Sequence, residues 1–329
     1  MLIMREKGLY CPAGDFYIDP KKKVERAVIT HAHSDHARRG SDQYYCTTSG
    51  ADLLRVRLGK NISLLTFNYK EKFRIKNVEI AFYPAGHILG SSQVRLELNG
   101  EIWVVSGDYK RDYDPTCESF ESVPCDVFIS EATFGTPSFS WNKETDFGLE
   151  IYNWWTKNQS ERLNSVLCAY SLGKAQRILG ALYPFAKKPI YCHPATELLN
   201  VCYREQGVKL APTICLSQLT KENILSGELI LTPSSFLKNQ SEINIGKYKT
   251  AFASGWMKYN FNQYDAGFVM SDHADWNDLI LTIKQSGAKK VFVQHRGAGA
   301  LVKKLNSLGI KAFPDSALFS NTPNQMMLF

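Results

Sequence analysis

The chain has 329 residues, of which 44% are hydrophobic and 22% charged, enough to bury a large core in one or two domains. No low-complexity tract or repeat is present. No apolar stretch is long enough for a signal peptide or a membrane helix, so we expect a cytoplasmic protein without a membrane partner. Eight scattered cysteines without a Cys-x-x-Cys pair indicate buried thiols. The net charge of +7 favours a polyanionic partner.

The N-terminal part combines a predicted hairpin with a histidine-rich stretch. The hairpin has strands over 8–10 and 16–20. An apolar run over 26–30 then leads into His31, His33, Asp35 and His36, which are three of the seven histidines and one aspartate. Because the run reads as a buried parallel strand, these side chains are expected at a strand end, where α/β proteins place ligands. Imidazoles and a carboxylate suit zinc, manganese or iron, so the stretch predicts a metal site.

Three further predicted strands also end in a polar residue. His87 follows a strand over 78–83 and is flanked by glycines that let backbone approach closely. A hairpin turning at Asn99-Gly100 delivers Asp108, and an apolar run over 126–130 delivers Glu131. Four successive strand ends therefore carry metal-binding or proton-transfer residues, which indicates one shared site.

From about residue 143 to 263 the pattern predicts a separate small α/β unit. Helices are predicted from 147, from Ser171 and over 197–206, between strands at 165–170, 189–192, 228–231 and 249–253. The stretch from Ser171 to Lys174 lies at a strand-to-helix junction, where it can bind a phosphate or simply cap the helix. His193 is interpreted as structural.

The last segment returns to the earlier pattern. Apolar runs over 267–270 and 290–294 lead to His273 and His295, and a helix pattern follows each histidine. Two more histidines therefore lie at two more strand ends. The final residues, 326–329, are apolar and can dock on the core or on a partner.

These motifs resemble a known family. The His-x-His-x-Asp-His stretch after a strand resembles the signature of the metallo-β-lactamase fold hydrolases. Glu131 within 130–135, His273 and His295 resemble the motifs of the β-CASP branch, whose known members are nucleases. The strings at 11–20, 106–110, 254–257 and 271–276 are similar to the bacterial ligase-associated DNA exonucleases, over nearly the whole chain. One departure is Gln294-His295-Arg296-Gly297, where Thr-His-Gly is more typical.

The resemblance implies a fold and a ligand set. The fold is α/β, an αββα metallo-β-lactamase sandwich over residues 1–142 and 264–329, with a smaller inserted α/β (β-CASP) domain over 143–263. Two divalent ions are implied, Zn²⁺ or Mn²⁺ with iron as a further option. The resemblance assigns His31, His33 and His87 as ligands of one ion and Asp35, His36 and His295 as ligands of the other. Asp108 would bridge the two ions. Asp19 would support the histidine-rich loop over 31–36 without binding metal itself, and the alternative is a simple turn residue.

The resemblance also implies an activity, a metal-dependent phosphodiesterase and most specifically a DNA exonuclease in repair or end processing. It would work through a hydroxide shared by two ions, with functional association with an ATP-dependent DNA ligase and a helicase. Asp35, Glu131 and His273 are the candidate catalytic residues. His273 is the general acid oriented by Glu131, or alternatively a further ligand or a capping residue. The candidate nucleic-acid contacts, for which surface or packing roles are the alternative, are Arg38, Arg39, Ser171, Lys174 and Trp256.

Other functions stay open at this point. An RNA-processing β-CASP ribonuclease is the main alternative, because the motifs do not separate DNA from RNA. A small-molecule hydrolase of thioesters or lactams could use the same core. A non-catalytic nucleic-acid-binding scaffold is disfavoured because every ligand position is filled.

Overall fold

Three β-sheets organise the residues that the computed structural model describes, namely 1–220, 225–238, 245–259, 263–295 and 298–319. The chain divides into two compact units. The first unit comprises 1–113, 118–140 and the described residues from 273 onward, and the second comprises 114–117 and the described residues of 141–272. The predicted boundaries at 142/143 and 263/264 stay a prediction. No helix among the described residues is long and apolar enough to cross a bilayer.

The first sheet of the first unit has six strands in chain order. Its first three strands are antiparallel, as the predicted N-terminal hairpin requires, and the following strands are parallel. One helix lies between its last two strands. The elements are β1 (Ile3–Arg5), β2 (Gly8–Cys11), β3 (Phe16–Ile18), β4 (Arg26–Val28), β5 (Gln43–Thr47), α1 (Ala51–Leu58) and β6 (Leu64–Phe67).

The second sheet begins with an antiparallel meander and ends with a parallel strand. Its predicted hairpin turns at Asn99 and Gly100, whose φ angles of 52° and 80° are those of a type I′ turn. The strands are β7 (Lys72–Ile75), β8 (Val78–Pro84), β9 (Ser92–Leu98), β10 (Glu101–Val105) and β11 (Val127–Ser130).

The second unit carries the third sheet, whose six strands are all parallel in the order β14-β13-β15-β12-β16-β17. Strands and helices alternate in the way that a parallel sheet requires. The elements are α2 (Phe147–Ser160), β12 (Asn164–Cys168), α3 (Lys174–Leu182), β13 (Ile190–Cys192), α4 (Pro194–Glu205), β14 (Thr213–Cys215), β15 (Leu229–Thr232), β16 (Tyr248–Ala253) and β17 (Ala266–Phe268).

The end of the chain completes the second sheet, giving it seven strands. The elements are α5 (Trp276–Ser286), β18 (Lys290–Val293), α6 (Ala298–Ser307) and β19 (Lys311–Pro314), and β18 pairs in parallel with β11. Along β11, Val127 and Ile129 join the core shared by the two sheets, whereas Phe128 faces the side chains of α5 and α6. These layers confirm the predicted αββα sandwich with an inserted smaller α/β domain.

Two details differ from the sequence analysis. Strand β17 pairs with β16 in the third sheet, whereas its stretch was grouped with the first unit, because a short apolar strand does not reveal its partner. Helix α4 begins at Pro194 rather than at 197, since Nδ1 of His193 accepts the N–H of Ala195 at 3.1 Å and caps it. The structural interpretation of His193 is thereby confirmed. Arg296, Gly297 and segment 326–329 lie outside the described residues.

Candidate metal centre and active site

Strand direction brings the predicted residues of the first unit to one edge of the second sheet. Strands β8, β10, β11 and β18 run in the same direction, so their carboxyl ends share that edge. The loops that leave these strands carry four of the predicted side chains, namely His87, Asp108, Glu131 and His295. The histidine-rich stretch leaves β4 of the first sheet and meets them, as the distances below show.

The tightest cluster consists of His31, His33, His87 and Asp108, whose ligand atoms all lie within 4.8 Å of one another. Nδ1 of His33 lies 3.1 Å from Nε2 of His31 and 3.1 Å from Nε2 of His87. Nitrogen atoms that bind one ion at 2.0–2.1 Å in a tetrahedron lie about 3.3 Å apart. The spacing of these three imidazoles therefore fits a single shared cation.

Asp108 provides a second indication of a cation. Its Oδ1 is buried and has no hydrogen-bond partner among the described residues, whereas buried carboxylate oxygens normally have one. Burial alone would raise the pKa of Asp108, but the charge and hydrogen bond of His36 hold it well below its usual range. The site thus contains an ionised carboxylate with one buried oxygen unused.

The second predicted ligand set is more open. Nε2 of His36 lies 3.4 Å from Oδ2 of Asp108 and 3.8 Å from Oδ2 of Asp35, while Nε2 of His295 lies 4.0 Å from Oδ1 of Asp108. The side chains of Asp35 and His295 are 68% and 42% exposed. Asp108 therefore presents its two oxygens to different histidines, the geometry that a bridging carboxylate needs.

The backbone of His295 is itself unusual. Its φ of 79° lies in the left-handed region, which residues other than glycine rarely adopt. Such strain persists only where the surroundings hold it, and it is common at functional sites.

Asp19 and Thr30 orient two of the histidines. Oδ1 of Asp19 accepts the N–H of Thr30 at 2.8 Å, and Oδ2 accepts the Thr30 hydroxyl at 2.6 Å. Because this hydroxyl gives its only proton to Asp19, it accepts at 3.0 Å from Nδ1 of His31. Nε2 of His31 is left with its lone pair facing the cluster. The role of Thr30 was missed by the sequence analysis, although its hydroxyl directly precedes His31.

The surroundings of His31 and His36 shift their pKa values in opposite directions. Burial and the charge of His36 hold the pKa of His31 well below its ordinary value, so His31 is neutral. Burial works against charge on His36 as well, but Asp108 and Asp19 raise its pKa well above the ordinary value. Nδ1 of His36 lies 2.8 Å from Oδ2 of Asp19, which leaves Nε2 facing Asp108.

Glu131 and His273 form a pair beside this cluster. Nδ1 of His273 lies 3.0 Å from Oε2 of Glu131, and Oε1 of Glu131 accepts the N–H of Tyr109 at 2.7 Å. Donor atoms of Asp108, Glu131 and His273 lie within 4.8 Å of one another, so these three residues can also be considered as a metal-binding group. A general acid and an additional ligand are both compatible with this placement.

The candidate nucleic-acid contacts are spread over both units. Arg38 and Arg39 are exposed beside the histidine-rich stretch, and Nε of Arg39 donates to the carbonyl of Arg57 at 3.1 Å. Burial and the charges of Arg38 and Arg39 lower the pKa of Arg57, so the three guanidinium groups are close enough to repel one another. Arg57 was not identified from the sequence, because it comes 18 positions after Arg39.

The candidate contacts of the second unit differ in exposure. Trp256 is 48% exposed and Ser171 is half-buried. The Lys174 side chain is only 3% exposed, and its ammonium group lies 2.7 Å from Oδ1 of Asp272. Oε1 of Gln176 accepts the N–H of Gly173 at 2.8 Å at the start of α3. This arrangement favours the capping alternative over a phosphate site at the junction.

Comparison with known proteins gives relatives but no family model that matches the chain. The chain is 29% identical over 315 residues to a probable DNA ligase from Opitutus terrae, covering 93% of this chain and 30% of that protein. It is 27% identical over 161 residues to an RNase J-like protein from Methanocaldococcus jannaschii, covering 41% and 38%. It is 28% identical over 197 residues to endoribonuclease YSH1 from Gibberella zeae, covering 57% and 23%.

The chain thus matches only 23–38% of the length of these relatives. Among solved structures, a protein of unknown function from Enterococcus faecalis V583 matches with a TM-score of 0.55 at 12% identity, covering 82% of this chain and 74% of that one. At this identity the likeness shows the fold alone. The facing sheets with a histidine–aspartate cluster at their strand ends define a metallo-β-lactamase fold protein. The chain belongs to the β-CASP branch of that fold, together with its RNase J-like and YSH1 relatives.

Proposed function

We propose that the protein is a metal-dependent phosphodiesterase that hydrolyses nucleic acid, most specifically an exonuclease that processes DNA ends. The observation that carries this proposal is the ionised Asp108, ringed by imidazoles and with one buried oxygen unused. The pair of Glu131 and His273 within reach of the same carboxylate adds a group suited to proton transfer.

The donor set fits two divalent cations, for which we propose Zn²⁺ or Mn²⁺, with iron as a further option. His31, His33 and His87 would hold one ion, Asp35, His36 and His295 the other, and Asp108 would contact both. When bound, the ions would supply Lewis-acid chemistry, activating water and offsetting charge on the phosphoryl oxygens.

The remaining chemistry falls to residues of the chain. Asp19 and Thr30 keep Nε2 of His31 and His36 turned towards Asp108, so the ligands need little reorganisation. Glu131 accepts from Nδ1 of His273 and so fixes the ring, whose other nitrogen can deliver a proton to the leaving alkoxide oxygen. A positioned acid of this kind contributes roughly 10²- to 10⁴-fold to the rate.

The choice between DNA and RNA rests on the relatives. The match to a protein named as a probable DNA ligase runs over 93% of this chain, which supports a DNA substrate and a role beside a DNA ligase. The ATP-dependent type of ligase, a helicase partner and a cytoplasmic location stay predictions from the sequence resemblance. Relatives named RNase J-like protein and endoribonuclease support the second candidate, an RNA-processing enzyme.

The test compares purified wild type, Asp108→Ala and His273→Ala, each loaded with Zn²⁺ or Mn²⁺, on single- and double-stranded DNA and RNA labelled at the 5′ or 3′ end. Asp108→Ala is expected to abolish cleavage and to lower bound metal, measured by mass spectrometry. His273→Ala is expected to keep its metal and to cleave roughly 10²- to 10⁴-fold more slowly. His193→Ala is the matched control, since that histidine caps α4.

Each contrary result identifies a specific error. Full activity of either site variant would refute the assigned roles. Loss of metal in His273→Ala would make that histidine a ligand. Faster cleavage of RNA than of DNA would favour the second candidate. Nucleic-acid binding without cleavage under any metal, or hydrolysis of thioesters or lactams alone, would refute the nuclease proposal.

A further inference from the structure

A network of four charged side chains lies in the second unit, outside the ligand cluster. Lys174 and Arg177 are on helix α3 and contact two aspartates. Nζ of Lys174 lies 2.7 Å from Oδ1 of Asp272, Nη1 of Arg177 lies 3.3 Å from the same oxygen, and Nε of Arg177 lies 3.3 Å from Oδ2 of Asp114. All four side chains are at most 12% exposed.

Buried ion pairs of this kind are poor stabilising devices. The cost of desolvating the charges offsets most of their attraction, and apolar replacements are often as stable. A network of two cations and two carboxylates therefore suggests a role in fixing geometry rather than in supplying folding energy.

The same two cations also bind backbone. Nζ of Lys174 donates to the carbonyl of Met270 at 2.6 Å, and Nη1 of Arg177 donates to the carbonyl of Ser271. Residues 269–272 belong to neither helix nor strand, so these two side chains hold a stretch that lies outside regular secondary structure. Helix α3 thus holds three consecutive residues, 270–272, through two carbonyls and one carboxylate.

The next residue in the chain is His273. On its other side, the N–H of Ala274 donates to the carbonyl of Tyr109 at 2.7 Å, and Asp275 caps helix α5. Within the first unit, these contacts hold the backbone directly after His273, and Glu131 holds its ring.

We propose that Lys174 and Arg177 are positioning residues, which hold segment 270–272 so that His273 delivers its proton to the leaving oxygen. This inference rests on the proposed function, because it assigns an origin to the placement of the general acid. Under this proposal neither residue needs to touch substrate. Misplacing a catalytic group by about 1 Å can cost about 10²-fold in rate, so a loosened segment should be measurable.

The experiment varies the leaving group. Cleavage of a DNA phosphodiester expels an alkoxide and needs a proton, whereas the p-nitrophenyl ester of thymidine 5′-phosphate expels a stable phenolate and needs none. We call the contacts of Lys174 and Arg177 with segment 270–272 the clamp. A positioning role predicts that loss of the clamp slows cleavage of the DNA phosphodiester but not of the p-nitrophenyl ester. General damage to the site would slow both.

The variants are Lys174→Met and Arg177→Lys, with His273→Ala as the benchmark. Arg177→Lys keeps a positive charge beside the buried carboxylates, so the variant is expected to stay folded. A lysine ammonium group cannot bridge the two carboxylates and the carbonyl that the guanidinium group of Arg177 contacts. Arg204→Met is the matched control, because it breaks the pair of Arg204 with Glu197 at 3.1 Å on helix α4 of the same unit. Metal content and thermal unfolding are recorded for every variant.

We expect kcat on DNA to fall by roughly 10- to 100-fold in both clamp variants, with KM, metal content and the p-nitrophenyl ester rate near those of wild type. Equal slowing of both esters, or of neither, would overturn the positioning role while leaving the proposed function in place. If wild type cleaves neither substrate, the proposed function fails and the inference fails with it.

Discussion

Asp19 shows how one carboxylate outside the ligand cluster can still set the state of the site. It holds Thr30 through two hydrogen bonds and His36 through a third, and Thr30 in turn determines which nitrogen of His31 is free. Its φ of 45° is left-handed, a conformation that Asp and Asn tolerate better than other residues with a side chain.

Asp19→Asn is therefore expected to weaken metal binding without disturbing the backbone. An amide has one acceptor oxygen, so its NH₂ group would face either the N–H of Thr30 or, in the flipped orientation, both the Thr30 hydroxyl and Nδ1 of His36. Loss of such a supporting contact typically costs 10- to 100-fold in metal affinity, which competition with a chromophoric chelator would measure. Asp15→Asn is the control, since Asp15 also has a positive φ but pairs with Arg26 and Lys76. Equal affinity in wild type and Asp19→Asn would contradict this role.

At this scale the sequence reveals residue types but not their orientation. His31, His33 and His87 were predictable because each follows an apolar strand. The tautomer of His31 depends on the hydroxyl of Thr30, whose proton points to Asp19, 11 positions earlier in the chain. The burial of the Lys174 ammonium group depends on its pairing with Asp272, nearly a hundred positions later. Such pairings are set by tertiary structure, which local spacing does not encode.

The loops that leave the strands matter because they must approach one another closely. Gly86 and Gly90, both with a φ of 72°, flank His87. A Cβ on Gly86 would lie 2.2 Å from the carbonyl oxygen of Lys110, two residues beyond Asp108. The prediction that glycines permit close backbone approach at His87 is confirmed.

Gly86→Ala is expected to force the His87 loop away from the Asp108 loop. The clash with backbone and the strained φ together should lower the free energy of unfolding by roughly 2–5 kcal/mol and reduce bound metal. Chemical denaturation and metal analysis would measure both effects. Gly287→Ala, with a φ of 64° and open space around its Cβ, isolates the strain. An equal loss of stability in the two variants would show that the close approach is unimportant.

Elements were easier to predict than their partners. The Asn99-Gly100 hairpin was predictable because its turn chemistry is local. The pairing of β17 with β16 was not predictable, since the two strands are separated by 12 residues and local sequence does not specify a strand's partner. The alternation of strands and helices in a sequence therefore predicts the fold class more readily than it predicts the residue at which one unit ends.

The charge of the whole molecule suggests how it meets a polyanion. The net charge is +7, and Arg38, Arg39 and Arg57 repel one another beside the histidine-rich stretch. A phosphate placed among these guanidinium groups would relieve that repulsion and would release counterions from the nucleic acid. Long-range attraction depends on net charge alone, whereas a direct phosphate contact depends on the individual arginine.

Arg57→Gln separates the two contributions. If Arg57 contacts a phosphate, the slope of log affinity against log salt should become shallower by about 0.7–0.9, as expected for the loss of one contact. Fluorescence anisotropy of a labelled oligonucleotide with metal-free protein would measure the slope without cleavage. Arg74→Gln removes the same charge from strand β7, where Arg74 faces Glu79 at 3.6 Å, and should leave the slope unchanged. If both variants shift affinity alike, the arginines act only through net charge, and the substrate does not pass beside the histidine-rich stretch.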